Sequence, residues 1–562
     1  MYELRGYDYM SASAKKKLRK EQSAAQLTEK QLKEQQETRK LKTYTTIFVV
    51  AIIAVLVAAL IFAGINFYKN SGVVEKNTVA ATVNDEKINS VVLSYYYTDL
   101  INSTYNQWSS TYGDSMSMFM GFMGLDATKP LSEQAYDEDS TWADYFVEGA
   151  LEQAKSEHLL YTAAVADGFT LSESEKQAMD DTFAQMGMFA TVYGYPDMDT
   201  YLRATYGPGA NEDSYYDYYA KSALASAYYD AHNASLNITD ADIRAYEDGK
   251  YNEFSSYSFA TYHLGYSEYL TGGTEGEDST TVYTDAEEQT ARDAAKADAE
   301  LLANATTVED LDKAIAALAI NEDAQGVKST VFEDSLYAST STIYRDWLSE
   351  EGRVPGECTV VANETTVADE DGNEQTVVND YYVVMFLGRN DNEVKLGNVR
   401  HILVEFEGGT TDDTGAKTYT DAEKSAAKAE AEAILAEMTA DGTVTEDEFI
   451  AMVAEKTDDV ASSTTGGLYE DITPEEGVYV EAFKNWAVDP ARVAGDTGII
   501  ETEYGYHIMY YVAADELSYR DYMIGNQIRN ETMETWYHEI LATGTATLGD
   551  TSRLNKDITL SK

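Results

Sequence analysis

The spacing of apolar positions changes several times along the chain, and each change marks an element. Between Glu503 and Val512 the run EYGYHIMYYV alternates and is rich in Tyr, Ile, Met and Val, which predicts a β-strand. The run VRHILVEF, Val399 to Phe406, has the same character. Each carries a histidine, in a chain that has only six. A lone His on such a strand is more often a satisfied core or edge residue than a functional one. Two of them, on strands about 100 positions apart, predict a single site.

Helical periodicity governs the stretch before these strands. TVAATVNDEKINSVVL, residues 78–93, predicts a short strand, an Asn-Asp turn and a helix start. TWADYFVEGALEQAKSEHLLYTAAVADG predicts a long amphipathic helix closing at Gly168, and LSESEKQAMDDTFAQMGMFA opens on a capping box at Ser172 and Glu175. The pattern predicts a mostly helical domain over residues 78–250. Within it, the Met116–Met123 cluster reads as core or interhelix loop, with an adaptable binding surface as the alternative. A last amphipathic helix, Tyr519 to Leu541, predicts that residues 516–562 pack back on this domain.

Ahead of the helical domain, Ile47 to Ile65 is continuously apolar for 19 residues, close to the ~20 that span a bilayer. Residues 1–43 carry eleven Lys or Arg against six Asp or Glu, and acidic residues dominate afterwards. The positive-inside rule then predicts a basic cytoplasmic segment (1–43), an uncleaved transmembrane helix (44–68) and an extracytoplasmic body. A cleaved signal peptide fits less well, because the apolar run is long and no clear small-residue cleavage site follows.

From residue 255 onward the pattern repeats. YHLGYSEYL followed by VYTDAEEQTARDAAKADAELLA is matched later by RHILVEFEG followed by TYTDAEKSAAKAEAEAILAEM. Trp347, Arg353, Gly356 and Glu357 have the same offsets as Trp486, Arg492, Gly495 and Asp496. Both copies close on a strand, DYYVVMFL and GYHIMYYV. Two α+β domains follow, at 255–390 and 395–515. Aligned this way, Tyr382 falls where His507 does, and the first copy keeps one histidine, His263.

Composition narrows the function classes. A net charge of -57 argues against nucleic-acid binding, since phosphates would be repelled. A single cysteine, Cys358, excludes an intrachain disulfide and a Cys-rich metal site, and the histidines show no ligand spacing. No metal or other cofactor is expected. The 44 tyrosines offer flat amphipathic contact area for peptides if exposed, or are a habit of composition. Glu437 to Glu448 looks like the back half of an EF-hand loop, but Glu437 and Thr439 are poor first ligands, so it reads as a helix end, a turn and a capped helix. Asp371-Gly372 between apolar runs predicts a hairpin.

The second copy resembles the parvulin family of peptidyl-prolyl isomerases over most of residues 395–515. The resemblance rests on VRHILV, the Ala/Glu-rich helix, DEFIAMVAEKTDD, the TGGL turn at Gly466-Gly467, RVAGDTGIIET and YGYHI, in that order. The whole layout resembles membrane-anchored extracytoplasmic foldases of the PrsA and PpiD kind, with a SurA-N-like helical chaperone domain and a degenerate first parvulin unit. The resemblance implies that His401 and His507 are the paired histidines and that Asp459 faces the substrate peptide bond. It places Phe483 in an apolar proline pocket, with Leu468 and Tyr479 beside it and Trp486, Thr502 and Tyr504 nearby. The loop GGLYED departs from the family's usual GGDLG. Implied partners are unfolded or proline-containing secreted polypeptides and a membrane; a homodimer is compatible with the layout. The rival reading is a non-catalytic chaperone or scaffold whose parvulin units only bind polypeptide.

Overall fold

Helices in this chain begin where a side chain satisfies their first free amides. Thr141 and Asp144 form a capping box, as do Ser172 and Glu175, and Asn89 accepts from the Val92 amide at 3.0 Å. The computed structural model describes residues 11–25, 48, 51–65, 68, 71–275, 281–321, 326–368, 374–411, 415–440, 442–475 and 477–560. The chain divides into two compact units, 1–235 with 534–562, and 236–533.

The first unit starts with strands β1 (Val79–Val83) and β2 (Glu86–Asn89), joined by a turn at Asn84, whose φ is +50°. Helices α1 (Ser90–Tyr112), α2 (Trp142–Ala166), α3 (Glu173–Val192) and α4 (Glu212–Ser235) follow. The chain's last strand, Ala546–Leu548, pairs antiparallel with β1, and Leu554 and Leu560 join the same core. Tyrosine is core material here: Tyr95, Tyr96, Tyr97, Tyr215 and Tyr218 are all buried. Asp99 accepts from Tyr206, Tyr215 and Tyr218, and Glu157 accepts from Tyr96 at 2.7 Å. Of the Met116–Met123 cluster, Met116 and Met120 are buried while Met118 and Phe122 are exposed.

Among the described residues no helix is long and apolar enough to cross a membrane. The expected span at 44–68 is described only in part: residues 51–65 are helical with every side chain exposed, and the flanking residues 44–47, 49–50 and 66–67 lie outside the described set. In the basic leader, Ala12–Ala25 is helical and 26–43 lies outside the described residues.

The second unit contains the two repeat copies, and they share one topology. In the first, strands β3 (Ser256–Gly265), β4 (Thr330–Leu336), β5 (Cys358–Ala368) and β6 (Glu374–Asn390) form an antiparallel sheet in the order β4-β3-β6-β5. In the second, β7 (Lys395–Glu405), β8 (Leu468–Ile472), β9 (Thr497–Glu501) and β10 (Gly505–Ser518) are ordered β8-β7-β10-β9. The Ala-rich helices Asp285–Leu302 and α5 (Asp421–Met438) start on equivalent Thr-Glu capping boxes. The repeated Trp–Arg offset has a physical cause: Arg353 lies over the Trp347 ring at 3.8 Å and Arg492 over Trp486 at 4.4 Å. The expected hairpin is present, with Ala368 opposite Glu374; its tip, 369–373, lies outside the described residues.

Register corrects the alignment of the copies. Gly356 donates to Phe386 O, and Gly495 donates to Tyr511 O in the same way, so Tyr382 does stand where His507 stands. Yet His263 pairs with Tyr382, whereas Leu403 pairs with His507. His263 therefore occupies the place of Leu403, and Thr261, opposite Val384, occupies that of His401, which lies opposite Met509. A slip of two residues leaves every side chain on its original face, so apolar alternation alone cannot detect it. The first copy keeps neither histidine of the pair.

Candidate active site of the second α+β domain

The two faces of the second sheet are used differently. Ile402, Val404, Ile508 and Tyr510 point to the side covered by α5 and α6 (Glu446–Lys456). Val399, Met509 and Tyr511 point to the other side and pack with Phe483 and Trp486 of α7 (Glu481–Ala487). His401 and His507 lie on that second face, diagonal across β7 and β10. Their Nδ1 atoms are 2.9 Å apart, and both residues are buried.

Asp459 reaches them from the loop after α6. Thr457 accepts the Leu403 amide and Asp458 donates its amide to Leu403 O, so this loop is laced to β7. Asp459 Oδ2 stands 2.9 Å from His401 Nε2 and accepts from Ser462 and, at 3.2 Å, from Tyr469 OH. On the far side, Thr502 Oγ1 is 2.9 Å from His507 Nε2 and accepts the Tyr504 amide.

With both rings neutral, one proton arrangement satisfies every partner. A carboxylate only accepts, so His401 Nε2–H donates to Asp459. His401 Nδ1 then accepts from His507 Nδ1–H, and His507 Nε2 accepts from the Thr502 hydroxyl. Both rings are neutral in this chain. Burial supports that: it lowers the His401 pKa against the pull of Asp459, and burial together with the neighbouring His401 brings His507 down to about 3. Burial acts to raise the Asp459 pKa, but the hydrogen bonds from Ser462 and His401, the electrostatic pull of His401 and the Tyr469 hydroxyl outweigh it and hold Asp459 at about 2.

Above the histidines stands an aromatic wall. Phe483 meets His401 edge-on at 5.3 Å and His507 at 5.6 Å, and Tyr479 stacks on Phe483 at 6.3 Å. Tyr469 packs against both His401, at 5.1 Å, and Phe483, at 5.5 Å. Of the residues expected here, His401, His507, Asp459, Phe483, Tyr479 and Thr502 come together. Leu468 does not: it lies opposite Arg400, on the helix-covered face, while its neighbour Tyr469 lies opposite Val399 on the histidine face. Trp486 packs on Tyr511, away from the histidines, and Tyr504 is mostly exposed. Tyr469 went unread in the sequence, although strand alternation from Leu468 would have found it. Arg400 was also missed: it pairs with Glu446 at 2.8 Å and donates to Thr465 O and Gly466 O, pinning the Gly-Gly turn. Gly467 has φ +71°, and a Cβ there would lie 2.4 Å from His401 O. Only glycine permits that approach.

Comparison with known proteins agrees with this geometry. Residues 401–513 match the rotamase family model, a PPIC-type PPIase domain. That part of the chain is a parvulin-type domain. No curated protein matches the chain. Among solved structures it is similar to the peptidylprolyl isomerase PrsA from Bacillus anthracis at 16% identity, over 27% of this chain and 59% of that one, with a TM-score of 0.17. It is also similar to a Campylobacter jejuni structure from work describing PEB4 and Cj1289 as SurA-like chaperones (17% identity, 25% and 50% covered, TM-score 0.14). A third is PrsA from Bacillus subtilis (12%, 84% and 91%, TM-score 0.25). The chain thus spans between half and three fifths of the first two, and scores this low carry no weight for the arrangement of the whole molecule.

Proposed function

We propose that this chain is a membrane-anchored extracytoplasmic foldase. It binds unfolded secreted or surface polypeptides and catalyses cis/trans isomerisation of their X-Pro bonds through the second parvulin domain. The observation that carries the reading is the continuous chain Thr502–His507–His401–Asp459 beneath the wall of Phe483, Tyr479 and Tyr469.

Isomerisation about X-Pro needs no proton transfer and no covalent intermediate, only a lower barrier than the ~20 kcal/mol of free amide rotation. Planar amide resonance separates charge, so an apolar wall around the proline disfavours the planar state relative to the twisted one. Phe483 supplies that wall. The neutral histidine pair orders its floor, and Asp459, Ser462 and Tyr469 form the polar edge. Anchorage by residues 44–68 is supported by the basic leader and the acidic body on either side of the apolar run. The first copy, with Thr261 and Tyr382 in place of the histidines, serves as a binding or spacer domain.

The test is prolyl exchange measured by NMR on short X-Pro peptides, with the full chain in nonionic detergent. Acceleration that falls at least tenfold in Phe483→Ala, in a variant that stays folded, supports the isomerase. No acceleration, with peptide resonances still broadened by the protein, moves the assignment to the binding-only chaperone.

A further inference from the structure

The charges around the histidine site bear on which X-Pro bonds it takes, an inference that rests on the isomerase reading. Asp459 is hydrogen-bonded by Ser462, Tyr469 and His401, and with His401 neutral all three donors are uncharged. Its charge is therefore solvated but not cancelled. Asp458 adds a second carboxylate, fixed in place because its Oδ2 accepts the Glu405 amide at 3.0 Å. Glu405 lies opposite Gly505 in the register, and Glu503 stands two residues before Gly505 in the turn that carries Tyr504. Among the described residues, none of Asp458, Asp459, Glu405 or Glu503 has a Lys or Arg within 4 Å. Nearby basic side chains already have carboxylate partners. Lys424 pairs with Glu501 beside the Thr502–Gly505 turn, Lys456 with Glu455 ahead of Asp458, Arg400 with Glu446 on the opposite face, and Arg492 with Asp489 and the Trp486 ring; Lys484 is buried in α7.

Phe483 stands over a hydrogen-bonded chain whose two ends are Asp459 and Thr502. Asp458 precedes the first and Glu503 follows the second in sequence, so carboxylate residues flank both ends. We propose that the site discriminates by charge at the residue before proline, favouring X-Pro bonds in which X is Lys or Arg over those in which X is Asp or Glu. Two unit charges several ångströms apart at a partly wetted rim change an affinity by roughly fivefold or more, and the effect shrinks as salt screens it.

The experiment compares peptides of sequence Ala-X-Pro-Phe with X as Lys, Ala or Glu, using the full chain in nonionic detergent at low and at 1 M NaCl. Exchange rates report catalysis, and protein-induced line broadening reports binding. The expected order is Lys above Ala above Glu, with a Lys/Glu ratio in kcat/KM of about five or more that collapses at high salt. In the double variant Asp458→Asn, Glu503→Gln the Lys/Glu ratio falls at least twofold, with the rates for Lys and Glu each moving towards the rate for Ala. Acceleration that is equal for the three peptides, or greatest for Glu, overturns charge selection and leaves the isomerase intact. Absence of acceleration for all three overturns the isomerase instead. The order of binding then decides: Lys above Glu supports charge selection and any other order overturns it.

Discussion

Single residues set the pH response of the site. The folded-state pKa of His507 is about 3, against about 6.5 for a free imidazole, so the unfolded chain binds more protons between those values. Stability of the second domain is then fully present above pH 6.5 and is lost as pH falls towards 3. The slope is roughly 1.4 kcal/mol per pH unit from this group alone. Asp459, depressed to about 2, adds a further loss below about pH 4. The urea midpoint of the second unit's transition should fall steadily from pH 6.5 to 4, and His507→Gln should flatten that fall. Phe483, buried against both imidazoles, tests packing as well as the proposed catalysis: Phe483→Ala should cost about 3 kcal/mol of stability.

At the scale of elements, the Gly466-Gly467 turn is what brings β8 alongside β7 at the histidine. Gly467→Ala must both hold φ at +71° and move backbone off His401 O, so it should cost about 2 kcal/mol or more and weaken the site with it. Gly525, in the helix Tyr519–Ala542, has open space around its Cα, so Gly525→Ala should raise stability by up to about 1 kcal/mol. Thermal melts of the two variants, read against each other, separate the turn's demand from a general glycine effect. The same scale shows what the repeat signal could carry. Helix caps and the Trp–Arg offsets were legible because they are local. The pairing of His263 was not, because register is set by the partner strand and its bulge between Ser258 and Phe259.

Across the second unit, the chain passes between the copies through a buried polar knot. Arg520 is 1% exposed, pairs with Glu247, donates to Tyr251 O and to Asp391 O, and lies over the Tyr251 ring. Asn392 Nδ2 donates to Phe254 O, and the Tyr519 and Arg520 amides donate to Val394 O and Asn392 O. Arg520 thus ties the entry of the first copy, the link between copies and the exit of the second. Removing one partner of a buried pair costs about 3–5 kcal/mol, so Arg520→Met should split a single calorimetric transition of residues 236–533 into two, with Glu247→Gln acting in the same direction. The first unit responds oppositely to acid. Burial raises the pKa of Asp99 and of Glu157 despite their tyrosine donors, so the folded form takes up protons there. Its stability rises as pH falls towards the ordinary carboxylate range, and scans at pH 7 and 5 should move the two units' transitions apart.

Much of this protein was determined by sequence alone, wherever the signal is local. The capped helices, the two copies and the strands bearing His401 and His507 all follow from spacing and caps, and the parvulin resemblance follows from motifs in order. Other features depend on which strand lies beside which. The exchange of Leu468 for Tyr469 at the site, the replacement of the first copy's histidines by Thr261 and Tyr382, and the role of Arg400 under the Gly-Gly turn are all of that kind. So is the closure of the first unit by a strand from the far end of the chain, which pairs Leu548 with Ala81. Such pairings join residues far apart in sequence. They are chosen by the burial and hydrogen bonding of the whole sheet, and no short window of sequence contains that information.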